Sequence, residues 1–302
     1  MSMDRYRFSP IVDRPVYDWP GGKRLAVYVA LNIEAFEFGR NPGNDFTSQP
    51  AAPFHRGYAY RDYGNRVGVW RILELCEAFD IPLAILANGM VYKVAPEVLA
   101  PFRARGDEFV GHGRTNSEKQ IDMDEATERQ MLAEVRDTMR AAEGVAPRGW
   151  LGPFISQSSR TPELLKDAGF DYMLDWWFDD QPQWFRTDSG PILAVPYPSM
   201  ELNDLPAYVN RKASDSDFTR MAIDAFDEQL EEGRRFPQVY SLSLHTFLTG
   251  QPHRIRQLRK VFEHIAARRD DIWLTRPGAI ADHVIGLPAG TVALPAGTDT
   301  LP

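Results

Sequence analysis

The chain has 302 residues, of which 43% are hydrophobic, 25% charged and 12% aromatic, so it is globular and able to bury a sizeable core. A net charge of −8 argues against a nucleic acid or an anionic membrane as partner, and the single cysteine excludes an intrachain disulfide or a cysteine metal cluster. Because no window is apolar enough for a membrane span and the N-terminus lacks the apolar core of a signal peptide, we expect a cytoplasmic protein.

The chain divides into an arm, one domain and a tail. Residues 1–22 are rich in proline, aspartate and aromatic residues without a helical or strand period, which predicts an ordered arm packed on the domain. Residues 23–285 predict a single catalytic domain, since no internal repeat or linker interrupts them. The Pro-, Ala- and Gly-rich residues 286–302 predict a loose C-terminal tail.

Within the domain, apolar strands alternate with amphipathic helices. Strands are predicted over residues 24–33, 82–87, near 109, over 149–151, 172–174, 192–197, 239–244 and 272–275. Helices are predicted over residues 65–79, from 89 to 99, and over 122–143, 161–168, 215–232 and 254–268. Residues 39–64 form a long Gly-, Pro- and aromatic-rich loop of the kind that is usually functional. Repeated strand-then-helix units predict about seven parallel strands with right-handed crossovers, in a closed or nearly closed barrel.

Polar side chains follow several predicted strands at the point where each strand ends. The carboxyl ends of parallel strands share one rim, which is where α/β folds assemble their chemistry. Each residue alone has an ordinary explanation, such as a helix cap for Asp175, a buried hydrogen-bonded imidazole for His245 or a surface charge for Arg148. Their convergence is much less expected by chance. The rim residues are Asn32, Glu34, His112, Asn116, Arg148, Trp150, Gly152, Asp175, Trp176, Trp177, Asn203 and His245.

Six short motifs, each weak alone, stand in an order and spacing that is fairly specific. They are Asn32-Ile33-Glu34, Gly111-His112-Gly113-Arg114-Thr115-Asn116, Gly149-Trp150-Leu151-Gly152-Pro153, Leu174-Asp175-Trp176-Trp177-Phe178-Asp179-Asp180, Pro196-Tyr197 with Asn203-Asp204, and Ser243-Leu244-His245 with Gly250-Gln251-Pro252. With these motifs the chain resembles the polysaccharide deacetylase superfamily, most closely the branch of metal-independent allantoinases and cyclic-imide hydrolases. The resemblance implies a distorted (β/α)7 barrel and a hydrolase of a carbon–nitrogen bond other than a peptide bond.

The chain departs from the family pattern at the positions that would hold a metal. The family's first motif carries two aspartates, where this chain has Asn32 and Glu34, and its second carries two histidines, where this chain has His112 and Asn116. One carboxylate, one imidazole and a neutral carboxamide oxygen make a poor zinc site. We therefore expect no cofactor, and a weakly held divalent ion of the zinc type at Glu34, His112 and Asn116 is the alternative.

Without a metal, hydrolysis needs a base for water and donors for the developing oxyanion. We expect Glu34, His112, Asp175 and His245 to be catalytic, with Asp175 orienting His245. The expected substrate-binding residues are Asn32, Asn116, Arg148, Trp150, Gly152, Trp176 and Asn203. A cyclic imide, hydantoin or ureide suits such a site, because its leaving nitrogen carries a second carbonyl that delocalises charge. The expected partner is therefore a small-molecule amide.

Two other functions stay open at this point. A metal-dependent carbohydrate N-deacetylase could tolerate Glu34 and Asn116, and sugars stack on tryptophan as planar amides do. A non-catalytic relative could bind a small amide or sugar without turning it over, although such a protein has no physical need for His112 and His245. We expect a homo-oligomer, because the arm and the turn around Phe178 could form subunit contacts and the family branch that the chain resembles tends to form symmetric oligomers.

Overall fold

The chain folds around one sheet of mainly parallel strands. The computed structural model describes residues 5–40 and 55–295, and within these ranges the sheet has nine strands. The strands are β1 (Leu25–Ile33), β2 (Leu83–Ala87), β3 (Glu108–Gly111), β4 (Gly149–Trp150), β5 (Tyr172–Met173), β6 (Gln183–Thr187), β7 (Gly190–Ala194), β8 (Gln238–His245) and β9 (Ile272–Leu274). Their order is β6-β7-β5-β4-β3-β2-β1-β8, with β9 also paired to β1, and only the β6–β7 pair is antiparallel. The predicted α/β fold of parallel strands is confirmed.

Strand β1 is the centre of the sheet. It pairs with β8 along nearly its whole length, with β9 at its amino half and with β2 at its carboxyl half. All of its residues are buried, which explains its continuous apolar run. Val27, Val29 and Leu31 pack in the helix-side core, whereas Tyr28 and Ala30 pack in the core enclosed by the sheet. The two-residue period of a strand therefore turns the next even-numbered residue, Asn32, toward the interior.

Nine α-helices lie within the part of the chain that the structure describes. They are α1 (His55–Tyr63), α2 (Val69–Ala78), α3 (Val91–Val94), α4 (Ala100–Arg105), α5 (Glu125–Glu143), α6 (Thr161–Asp167), α7 (Asp215–Glu232), α8 (Pro252–Ala266) and α9 (Pro277–Ile285). A capping box between Ser214 and Asp217 starts α7, and Gly144 ends α5 in the left-handed conformation. No helix in the described ranges is both long and apolar enough to cross a membrane.

Loops complete the ring where the sheet is open. In the described residues no ladder joins β6 to β8. Instead, the Val239 amide donates to the Asp180 carbonyl (2.9 Å) and the Ser243 amide donates to the Leu202 carbonyl (3.0 Å). Asn203 forms an isolated parallel bridge with Ser243. The result is a barrel distorted on one side, and the irregular segment 196–205 reaches the site from that side.

Some predicted elements differ from the observed ones. The predicted helix 65–79 belongs to a longer helical segment that starts at His55, and a π-helical turn (Gly64–Gly68) joins α1 to α2. Part of the predicted 39–64 loop is thus helical, and residues 41–54 lie outside the described ranges. The predicted helix from 89 to 99 is divided, because Pro96 and Pro101 each start a new helical turn. Strand β6 and helix α9 were not predicted.

The arm and the tail both contact the domain. Trp19 is 1% exposed and donates its indole N–H to the Gln238 carbonyl (3.1 Å), whereas Phe8 is 88% exposed. The expectation that the arm's aromatic side chains are covered is therefore right for Trp19 and wrong for Phe8. In the predicted loose tail, Leu287 and Leu294 pack against the core, and residues 296–302 lie outside the described ranges.

Candidate active site

One cavity of about 570 Å³ opens at the carboxyl ends of the parallel strands. Glu34 and His245 reach it from the ends of β1 and β8, and the register that pairs Asn32 with His245 sets these strand ends side by side. All but three of the predicted site residues line it. Those that do are Asn32, Glu34, His112, Asn116, Gly152, Asp175, Asn203 and His245.

The expectation that Arg148 joins this site is wrong. Arg148 immediately precedes β4 and so lies at the amino end of the sheet, opposite the cavity. Its exposed guanidinium pairs with Asp171 (2.6 Å) and Asp282 (2.5 Å). The strand predicted over residues 149–151 already places Arg148 before its first residue, so the inclusion of Arg148 among the strand-end residues was inconsistent with that prediction.

The expectations for Trp150 and Trp176 are also wrong. Trp150 is fully buried on the helix side of β4, where it packs against Phe170, because its neighbour Leu151 takes the inward position. Trp176 packs on Phe185 with ring centroids 5.1 Å apart and does not line the cavity. The tryptophan at the cavity is Trp177, which is 53% exposed.

Three nitrogen atoms converge on one carboxylate oxygen. Oε1 of Glu34 accepts a hydrogen bond from Nδ2 of Asn116 (2.6 Å). Nε2 of His112 lies 3.4 Å from the same oxygen, and Nε2 of His245 lies 3.6 Å from it. The other oxygen, Oε2, is buried and has no hydrogen-bond partner among the described residues. Glu34 is thus anchored through one oxygen, and its other oxygen is unpaired among the described residues.

Both imidazoles are held from behind through Nδ1. Nδ1 of His112 lies 2.7 Å from the Leu151 carbonyl, which can only accept, so Nδ1 carries the proton. Nδ1 of His245 lies 2.6 Å from Oδ1 of Asp204, whose Oδ2 accepts from the His245 amide (2.8 Å). Asp204 therefore has the orienting role that we expected of Asp175. Asp204 belongs to the Asn203-Asp204 motif but was not selected, because the sequence does not show which of the two carboxylates contacts His245.

Charge separation between Glu34 and His245 is favoured in the folded protein. Burial alone would raise the pKa of Glu34, but the facing His245 and His112 outweigh burial and hold it below its ordinary value. Burial alone would lower the pKa of His245, but Asp204 and Glu34 outweigh burial and raise it. The pair therefore favours a carboxylate beside an imidazolium.

Asp175 has a different environment. Burial raises its pKa to about 7, and the hydrogen bond from the Gly152 amide to Oδ1 (2.8 Å) only partly opposes this. Its Oδ2 is buried without a partner in the described part of the chain. Gly152 is required here, because a Cβ on it would collide with the Gln120 carboxamide and lie 2.8 Å from Asp175 Oδ1. A carboxyl group that is about half protonated at pH 7 thus lines the same cavity as the anionic Glu34.

The polar groups do not fit the metal site of the family pattern. Asn116 turns its amide nitrogen toward Glu34, and its oxygen faces Nδ2 of Asn88 at 2.9 Å. A carboxamide nitrogen is not a metal ligand, so Glu34 and His112 lack a third donor at this position. Across residues 5–40 and 55–295, no group of three His, Cys, Asp or Glu side chains is arranged to hold a metal ion.

The strand-end reasoning did not select two further residues. Arg61 on α1 lines the cavity and is 3% exposed, with its guanidinium 4.9 Å from the ring centre of Phe36 and 5.6 Å from that of Phe247. It brings a buried positive charge to the mouth, and its place in the predicted 39–64 loop gave only a weak signal. Asn88 directly follows β2 as Glu34 directly follows β1, so the signal that selected Glu34 could also have selected Asn88.

The chain is similar to known hydrolases along most of its length. It is 32% identical in sequence to PuuE allantoinase, whose crystal structure superposes with a TM-score of 0.79 and covers 88% of this chain and 91% of that one. It is 29% identical to a protein of Schizosaccharomyces pombe that is named as a polysaccharide deacetylase, over 86% of this chain and 85% of the relative. It is 25% identical to the peptidoglycan deacetylase of Helicobacter pylori, over 70% of this chain and 82% of the relative.

No protein-family model matches the chain. The family assignment therefore depends on these relatives and on the fold that they share with the chain. Identity above 30% across nearly nine-tenths of the chain is sufficient for that assignment, and it confirms the resemblance inferred from the six motifs. The chain belongs to the polysaccharide deacetylase superfamily, and the deacetylases and the allantoinase that it resembles are hydrolases of carbon–nitrogen bonds other than peptide bonds.

Proposed function

We propose that the protein opens a small cyclic amide of the hydantoin, imide or allantoin type by acid–base attack of water, without a bound metal. The observation that carries this proposal is the convergence of three nitrogen atoms on Oε1 of Glu34, with Oε2 left without a partner among the described residues. A carboxylate that is fixed through one oxygen and unpaired at the other is suited to take a proton from water.

The proton transfers need only Glu34 and His245, which both line the cavity. Glu34 removes a proton from water as the water oxygen attacks the carbonyl carbon. His245 then gives its Nε2 proton to the ring nitrogen as the carbon–nitrogen bond breaks. Transfer of the proton from Glu34 to His245 restores both groups, and one water molecule is consumed per ring opened. Asp204 holds the imidazole and stabilises its charged form, as the carboxylate of an Asp–His pair does.

Asp175 supplies the donor that a metal-free site requires. Its protonated carboxyl can donate from Oδ2 to the oxyanion that develops on the attacked carbonyl. His112 is held by Leu151 with Nε2 3.4 Å from Oε1 of Glu34, the carboxylate oxygen that does not receive the proton of the attacking water. The division of work between a neutral acid and an anionic base follows from their different surroundings.

The substrate class follows from the size and chemistry of the site. A volume of about 570 Å³ is that of a small-molecule pocket, which typically spans about 300–1,000 Å³. A cyclic imide or hydantoin needs less electrophilic assistance than an N-acetyl amine, because a second carbonyl delocalises charge on its leaving nitrogen. This matches a site in which Asn116 presents nitrogen rather than oxygen to Glu34. The likeness to an allantoinase also supports a cyclic amide.

A metal-dependent carbohydrate N-deacetylase is the second candidate. Trp177 favours it, because a half-exposed tryptophan at a cavity mouth can stack on a sugar ring. The peptidoglycan deacetylase among the relatives also supports it. This function would require Glu34 and His112 to bind a divalent ion, which would require the Asn116 side chain to change its present orientation.

A substrate panel decides between the two candidates. Ring opening of allantoin, hydantoin, dihydrouracil and succinimide is measured beside acetate release from chitin and peptidoglycan oligomers, with and without a chelator. We expect ring opening that the chelator does not reduce. Glu34→Gln should lower kcat by about 10²–10⁴-fold. Glu108→Gln, which changes a carboxylate bound to Tyr172 at the other end of the barrel, should not lower it. Chelator-sensitive acetate release without ring opening would establish the second candidate instead.

A further inference from the structure

Asn88 follows β2 directly and connects three parts of the site from outside the cavity. Its side chain is fully buried. Oδ1 accepts from the amide of Ala35 (2.8 Å), which follows β1. Nδ2 donates to the His112 carbonyl, which follows β3, and to Oδ1 of Asn116 (2.9 Å). Both N–H groups of this carboxamide and one lone pair of its oxygen therefore make hydrogen bonds, and one oxygen lone pair is left.

Backbone groups fix which end of the Asn88 carboxamide is nitrogen. A peptide N–H can only donate and a peptide carbonyl can only accept. The Ala35 amide therefore identifies the oxygen of Asn88, and the His112 carbonyl identifies its nitrogen. This matters because a carboxamide is otherwise symmetric in shape and can turn over at little steric cost.

The orientation of Asn88 then determines that of Asn116. The second hydrogen on Nδ2 of Asn88 points at Asn116, which must present its oxygen there. The nitrogen of Asn116 is then the atom that faces Oε1 of Glu34, at 2.6 Å. The reverse orientation would set two NH₂ groups against each other and a carbonyl oxygen against a carboxylate. Two repulsive contacts would replace two hydrogen bonds.

We propose that Asn88 is a positioning residue that sets the polarity of the Asn116 carboxamide and thereby anchors Oε1 of Glu34, leaving Oε2 to receive the proton of the attacking water. This inference rests on the proposed metal-free hydrolysis for its effect on rate. Its structural part, the orientation of Asn116, does not depend on any activity. Asn88 touches neither water nor substrate in this role, and it acts on the Glu34 side chain through Asn116.

A double-mutant cycle between Asn88 and Asn116 tests the rate effect. Asn88→Ala and Asn116→Ala are made singly and together, and kcat and KM are measured for the cyclic amide that the protein opens fastest. We expect Asn88→Ala to lower kcat by about 10–100-fold, as lost supporting hydrogen bonds do, with little change in KM. In the Asn116→Ala background the same change should have little further effect, because the residue through which Asn88 acts is absent.

Asn65 provides a matched control. Its Nδ2 donates to the backbone carbonyl of Glu34 at 2.7 Å, so Asn65→Ala removes an amide hydrogen bond near the same residue without touching Asn116. The losses from Asn65→Ala and Asn116→Ala should multiply. If the losses from Asn88→Ala and Asn116→Ala also multiply, the proposal is overturned. Asn88→Asp, which keeps the acceptor for Ala35 and removes both donors, provides a second variant if Asn88→Ala does not fold.

A spectroscopic measurement separates this proposal from the proposed function. In ¹⁵N-labelled protein, the side-chain NH₂ of Asn116 is assigned by its loss in Asn116→Ala. A hydrogen bond to the Glu34 carboxylate should move one of its protons downfield and slow its exchange with water. Asn88→Ala should abolish both features, whether or not any cyclic amide is hydrolysed. An Asn116 resonance that is unchanged in Asn88→Ala would refute the role of Asn88 even if the enzyme opens rings as proposed.

Discussion

Asp204→Asn should inactivate the enzyme by moving one proton on His245. Oδ2 of Asp204 accepts from two groups, the His245 amide (2.8 Å) and the Thr249 hydroxyl (2.5 Å). The oxygen of an introduced asparagine should keep that position, because its NH₂ there would meet the amide N–H. The NH₂ then occupies the place of Oδ1, which lies 2.6 Å from Nδ1 of His245. Facing a donor, Nδ1 must become an acceptor, and the ring proton moves to Nε2.

The magnitude follows from the loss of the imidazolium. When Nδ1 accepts a hydrogen bond from the introduced NH₂, it cannot carry a proton, and His245 keeps only the proton on Nε2. The imidazolium therefore does not form, and His245 can no longer act as an acid by giving up one of two ring protons. Loss of an acid–base group lowers the rate by about 10²–10⁴-fold, which corresponds to about 2.7–5.4 kcal/mol in the barrier. The free energy of unfolding should fall by only about 1–3 kcal/mol, the size of a lost charge-assisted hydrogen bond.

Ring-opening kinetics and ¹⁵N spectra of the histidine ring measure the two effects. Asp107→Asn is the matched control, because Asp107 accepts from the Leu83 amide (2.9 Å) and pairs with Arg105 at the amino end of β3, away from the cavity. It should lower stability by a similar amount and leave kcat unchanged. If Asp204→Asn retains kcat within about threefold while the spectra show the proton on Nε2, the acid role of His245 is wrong.

Three further changes test other parts of the site. Asp175→Asn should remove the fall in rate that wild type shows as the pH rises through about 7, because the carboxyl is a donor only while protonated, and a fall in rate that persists in the variant would exclude this role. The same substitution should raise the free energy of unfolding more at pH 8 than at pH 5, since ionising a group with a raised folded pKa destabilises the fold. Trp177→Ala should raise KM with little loss of kcat, whereas Trp70→Ala, a similarly exposed tryptophan on α2, should change neither. Asn116→His should create zinc affinity detectable by calorimetry, because it replaces a hydrogen-bond donor with a ligand, and no binding would show that Glu34 and His112 are not placed for a metal.

The sequence predicted those parts of the site that depend on local pattern. An apolar run that ends at Ile33 predicts β1, and strand alternation places Asn32 inside the barrel. The limits of α7 were predicted as Asp215 and Glu232 and are observed there, because a capping box starts the helix. The residues Glu34, His112 and His245 meet because parallel strands end on the same rim, which required no knowledge of their contacts.

What the sequence did not predict depends on register and on distant partners. Trp150 and Leu151 are adjacent, and only the pairing of Gly111 with Trp150 settles which of them faces inward. The strand before Leu151 has only two residues, too few to show a period. The contact of Asp204 with His245 brings together two distant stretches of chain, so no spacing rule selects it. In β6, polar and apolar residues mix without a clear period, and its place is set by the antiparallel pairing with β7.

The pairing of β1 has a consequence for how the chain is made. The ribosome releases β1 before any other strand, yet β8 starts only at Gln238 and β9 at Ile272. Until both have emerged, a strand whose residues are all buried in the finished protein lacks most of its partners. Contacts of such long sequence separation form slowly and leave apolar edges exposed in the meantime. Folding of this barrel therefore cannot finish before β8 and β9 have been synthesised, and N-terminal fragments that stop before β8 should be held by chaperones or aggregate.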